Sequence, residues 1–154
     1  MANVTHSSLT GADLHEPKGV ATANSEDVYV ANGSGSGAWK GQTLLLSKKL
    51  TDISSAFDRY IPIPVACTVV QITTALSAAI SGSDLVLTVK NAAGSSMGTI
   101  TVTQSGSAAG DVDTLTPASN NTFVANTALE IEGDGGPSSH VDLDVAILIE
   151  RVTS

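Results

Sequence analysis

Between His140 and Val152 apolar and polar residues alternate almost without a break. Val141, Leu143, Val145, Ile147 and Ile149 fall on one side, and Asp142, Asp144 and Glu150 on the other. A period of two lines one face of a strand but scatters around a helix, so this run can bury its apolar set only as β structure. The same rhythm recurs upstream. Leu85, Leu87 and Val89 alternate with Val86, Thr88 and Lys90. Ile100 and Val102 alternate with Thr99, Thr101 and Thr103, and Leu129 and Ile131 point one way within Ala128 to Glu132.

Further strands complete the pattern. Ala56 to Ile63 reads as a strand that Pro62 and Pro64 confine to an edge or an end, because proline has no N–H for a sheet ladder. Ala66 to Ile80 reads as a long strand whose alternation changes phase at Val69-Val70, which predicts a β-bulge. Asp111 to Thr116 and Thr122 to Ala125 are shorter strands around a turn at Pro117 to Asn121. Turn residues punctuate the chain about every ten residues after Ser55, with no amphipathic helix between them; this spacing predicts an all-β, antiparallel two-sheet sandwich of jelly-roll or Greek-key type. Its core must be aliphatic. Aromatics are 3% of the 154 residues, and Phe57, Tyr60 and Phe123 are the only ones that this part of the chain offers to it.

The first 55 residues differ in texture and are expected to form an extended N-terminal arm (1–55) ahead of the sandwich (56–154). Val4, Leu9, Leu14 and Val20 are too sparse to define a face, and Glu16-Pro17 favours extended backbone. Val28-Tyr29-Val30 is a short strand candidate, followed by the glycine-rich linker Asn32 to Gly37 and the single tryptophan, Trp39. Leu44-Leu45-Leu46 is compatible with a short strand or a helical turn.

Charge narrows the functional classes. The net charge is −8, and charged residues are 14% of the chain, against about 25% in an average soluble protein. Most of the acidity lies after Tyr60. Nucleic-acid binding needs clustered Lys or Arg, so no nucleic-acid partner is expected, and no docking on an anionic membrane. No apolar run reaches the roughly 18 residues of a transmembrane helix, and Met1 to Thr10 has neither a basic nor an apolar signal region. One cysteine, Cys67, cannot make an internal disulfide, which agrees with assembly in a reducing cytoplasm. Low charge with apolar residues on both strand faces (Val86, Ala146 and Leu148 lie outward) points to an oligomer. Scattered exposed aliphatics on a monomer are the plain alternative.

Catalytic chemistry finds little footing. No phosphate-binding loop, zinc motif or nucleophile elbow occurs. His6 and His15 lie in the arm, His140 stands at the start of the last strand, and Cys67 sits among β-branched neighbours. No catalytic, cofactor-binding or metal residues are expected, and no cofactor. The pairs Asp111/Asp113, Glu130/Glu132 and Asp142/Asp144 share strand faces at i, i+2. They suit a Ca²⁺ chelate or a glycosidase in principle, yet the polar side of an alternating strand explains each of them.

The arm carries a resemblance. Leu9-Thr10-Gly11-Ala12-Asp13-Leu14-His15-Glu16-Pro17-Lys18-Gly19, followed by Val28-Tyr29-Val30-Ala31-Asn32-Gly33-Ser34-Gly35-Ser36-Gly37-Ala38-Trp39, resembles an N-terminal segment of tailed-bacteriophage virion proteins. The remainder is similar in texture to sandwich domains of phage head-decoration and head-fibre proteins. The resemblance implies a non-enzymatic structural protein, a homotrimer, on the exterior of the virion. The partner would be the major capsid protein, contacted through Leu9, Leu14, His15, Pro17, Lys18 and Trp39. A local turn at Glu16-Pro17, with Trp39 packed on the arm's own sheet, is the alternative reading of those residues. A receptor- or glycan-binding module borne on a tail or fibre is the alternative function.

Overall fold

The computed structural model describes Ala23, residues 27–31 and residues 37–152. Within them two units occur, one ending at Gln42 and one beginning at Thr43. In the first, β1 (Val28–Ala31) and β2 (Gly37–Lys40) form an antiparallel hairpin in which Tyr29 faces Trp39.

The second unit holds β3 (Thr43–Leu50), β4 (Phe57–Ile63), β5 (Cys67–Leu76), β6 (Leu85–Lys90), β7 (Ser96–Val102), β8 (Val112–Leu115), β9 (Thr122–Phe123), β10 (Thr127–Gly133) and β11 (Leu143–Arg151). One sheet runs β4-β10-β6-β7; the other runs β3-β11-β5-β8, with β9 also paired to β5. β8 faces Ile72 to Ala75 and β9 faces Cys67 and Thr68, so the two act as one strand interrupted by a turn. Asn121 bridges the interruption: its carbonyl accepts the Val69 N–H at 2.8 Å and its Nδ2 donates to the Val69 carbonyl at 2.9 Å.

Counting β8 and β9 together, first pairs with last (β3·β11), second with seventh (β4·β10), third with sixth (β5·β8/β9) and fourth with fifth (β6·β7), all antiparallel. This is a long hairpin rolled on itself, the jelly roll. The expected all-β antiparallel sandwich is therefore present, in the first of its two anticipated topologies.

The alternation translates into burial. Leu143, Val145, Ile147 and Ile149 of β11 and Leu85, Leu87 and Val89 of β6 are all within 1% of full burial, and each such aliphatic side chain contributes roughly 1.5–3 kcal/mol. The register of β11 against β5 skips Val70: Leu148 faces Gln71, and Ile149 faces Val69. That bulge lets Cys67 and Val69 before it, and Ile72 and Leu76 after it, all point inward, which settles the competition seen in the alternation. Thr74 is the one buried polar residue of this core, and its Oγ1 donates to the Asp113 carbonyl at 3.4 Å.

Three expectations need correction. Leu44-Leu45-Leu46 takes the strand of its two open readings, within β3 paired along its length with β11, and Leu50 and Ile53 are core residues. The β unit thus takes in residues 43–55, which the expectation assigned to the arm. Local periodicity is poor there because β3 is an edge strand with most of its side chains exposed. Tyr60 is not a core residue; it is 61% exposed on the outer side of β4. β11 starts at Leu143, so His140 precedes the strand.

Candidate functional site

Leu9, Leu14, His15, Pro17 and Lys18 lie outside the described residues. Trp39 stands on β2, with its ring centroid 5.3 Å from that of Tyr29 and the planes at 64°. This edge-to-face contact is worth about 1 kcal/mol beyond burial. It braces the two-stranded unit on one face, while Val28 and Val30 of β1 remain about half exposed.

Interaction chemistry in the sandwich concentrates at its edges. Unpaired N–H and C=O groups at a sheet edge template further strands unless something blunts them. Three of the four edges are blunted. β4 contains Pro62 and is followed by Pro64. β7 has a bulge at Met97, where the register passes from Gly98 to Ser96. The β8/β9 edge is broken by the turn at Pro117 to Asn121. β3 differs: it runs eight residues without Pro, Gly or bulge, and exposes Leu44 at 36% and Leu45 at 67%. Its only blunting charges, Lys48 and Lys49, stand in its last three residues, so the Thr43–Leu46 half of this edge is unguarded. The outer face beside it carries a groove of about 370 Å³, floored by the small residues Ser47, Thr73, Ala75 and Ala146 and walled by Lys49 and Asp144.

A serine, a histidine and aspartates do meet at the sandwich end. Asp52 Oδ1 accepts the Ser54 hydroxyl at 2.6 Å and its N–H at 3.2 Å, and Asp52 Oδ2 lies 2.8 Å from His140 Nδ1. Ser54 Oγ is 3.4 Å from the same Nδ1. A hydrolytic triad needs the acid on one ring nitrogen and the nucleophile on the other, so this arrangement cannot relay a proton from Ser54 to the far nitrogen. It is a surface clasp between the β3–β4 loop and the approach to β11. Asp142 extends it by accepting the Asp52 N–H at 3.1 Å and pairing with Lys49 Nζ at 2.9 Å. Hydrogen bonds from Ser54 and then His140 hold the Asp52 carboxyl at about 2, and Lys49 lowers Asp142.

The other carboxylate pairs have local uses. Asp111 Oδ2 accepts the Ala108 N–H at 2.7 Å, and burial raises the Asp113 carboxyl. Lys90 bridges Glu130 at 3.5 Å and Glu132 at 2.6 Å. Among the described residues no cluster of three or more metal-ligating side chains occurs. Cys67 is buried in β5, and desolvation raises its thiol.

No protein-family model matches the chain, and no curated protein does. Among solved structures, it is similar to a chain in the acidic stable capsid structure of Helicobacter pylori bacteriophage KHP30, with TM-score 0.51 and 13% identity over 75% of this chain and 91% of that one. A chain of the cyanophage Pam1 capsid gives TM-score 0.48 and 14% identity, covering 75% and 89%. A carbohydrate-binding module, CsCBM6-3 from Clostridium stercorarium solved with cellobiose, gives TM-score 0.42 and 12% identity, covering 84% and 98%. The likeness to the KHP30 capsid chain is one of fold.

Proposed function

We propose that this chain is a non-enzymatic phage virion protein: residues 1 to about 45 dock on the major capsid protein of the assembled head, and the jelly roll is displayed outward. The observation that carries this reading is the pairing of the Leu-His-x-Pro-Lys-Gly arm with a sandwich of the kind found in a phage capsid. A segment with few charges suits docking by strand addition or groove binding, with Leu9, Leu14, His15, Pro17, Lys18 and Trp39 as anchors. The protein works as a homotrimer on the capsid exterior, after assembly in the host cytoplasm. No nucleic acid, membrane or cofactor takes part.

Deleting Met1 to Lys40 tests the docking. The truncated chain keeps every strand of the sandwich, so loss of co-sedimentation with heads reports on the arm alone. Undiminished binding overturns the reading. Sedimentation tests the trimer; a 15.5 kDa species at micromolar concentration contradicts it.

A further inference from the structure

Tyr60 is the one aromatic that the sandwich turns outward, at 61% exposure, in a chain otherwise short of aromatics. Its surroundings are not a flat strand face. In register across three strands, Tyr60 faces Glu130 and Glu130 faces Lys90. Ala128, next but one to Glu130 on β10, is too small to fill the space beside the ring. The result is a shallow pocket of about 300 Å³, lined by Tyr60, Asn91, Ala92, Gly94, Ala128 and Glu130 among others.

The polar groups around it are held in place. Glu130 and Lys90 have side chains only 17% and 23% exposed, and Lys90 Nζ spans Glu130 and Glu132. Asn91 Oδ1 accepts the N–H groups of Ala93 and Ser95, both at 3.0 Å, which leaves its Nδ2 amide as a donor on the other side. An open aromatic face, a fixed carboxylate acceptor and an amide donor around a small hollow match a pyranose, which offers an apolar C–H face and a rim of hydroxyls.

We propose that this pocket on the β4-β10-β6 face binds a neutral saccharide, with the ring stacked on Tyr60 and its hydroxyls bonded to Glu130 and Asn91. Anionic sugars are disfavoured: the two glutamates outnumber Lys90, and the whole chain carries −8. The site does not depend on capsid docking, since a chain that fails to bind heads keeps this face intact.

The test is an amide chemical-shift titration of the full chain at millimolar sugar. The probes are neutral oligomers of glucose, galactose and N-acetylglucosamine, with sialyllactose as the anionic control. The expected result is movement of the Tyr60, Asn91, Ala128 and Glu130 signals with at least one neutral oligomer and none with sialyllactose. Tyr60→Ala should weaken binding about tenfold, the loss of one stacking contact, with an unchanged melting temperature. Glu130→Gln should weaken it less. Absence of these shifts with every neutral oligomer, equal binding of sialyllactose, or full affinity in Tyr60→Ala overturns the proposal.

Discussion

Asp52 occupies left-handed backbone, with φ at 54°, and its carboxylate gathers Ser54 and His140. Its carboxyl is held at about 2, below the ordinary value of about 4, so the ionised form is favoured by folding. The stabilisation is complete above the unfolded value and is lost as pH falls towards 2. Asp52→Asn tolerates the same φ but loses the charge. It should melt below the parent at pH 7, and the gap should close near pH 2, as thermal scans across that range will show. Gly135 offers a sharper case. Its φ is 70°, and a Cβ there would collide with the backbone of Ser55 and Ala56. Gly135→Ala should therefore cost about 2 kcal/mol or more in denaturant unfolding. Neither effect is visible in local pattern: Asp52 and His140 are 88 residues apart and meet only through the roll.

At the scale of elements, the two ends of the sandwich chain make one pair. β3 lies along β11 from Leu50 opposite Leu143 to Thr43 opposite Glu150. Truncation should therefore be sharply position-dependent. Removal of Met1 to Lys40 should leave the unfolding midpoint of the sandwich unchanged. Removal through Ser55 strips β3 together with Leu50 and Ile53, both within 1% of full burial, and should abolish cooperative unfolding in circular-dichroism melts. The boundary was hard to read in the sequence because β3 packs like an edge. Its outward Leu45 and Lys49 and its inward Leu46 and Lys48 give neither face a consistent character. The Val70 bulge, by contrast, was legible, since the inward apolar set changes phase there. Pro62 on the edge strand β4 was legible for a similarly local reason, its missing donor.

For the whole molecule, charge and edges act together. A net charge of −8 on a chain with so few basic residues opposes association beyond the proposed trimer at neutral pH. Near pH 4.5 that repulsion vanishes, while the unguarded Thr43–Leu46 half of the β3 edge, with its exposed Leu45, remains. Dynamic light scattering should report growth in particle size as pH falls from 7 to about 4.5, reversed by returning to pH 7. A Leu45→Lys variant should resist it, because an added charge on an open edge opposes strand pairing.

The sequence by itself determined that this chain is β, which residues of β6, β7, β10 and β11 face inward, and where β5 must bulge. All of these follow from a two-residue period that is a property of neighbours along the backbone. Sheet partners are not such a property. Only the tertiary structure decided that β3 closes the roll against β11, that β4 pairs with β10 so that Tyr60 faces Glu130, and that Asp52 reaches His140. Each depends on hydrogen bonds between segments far apart in the chain, and the alternation is compatible with many such pairings.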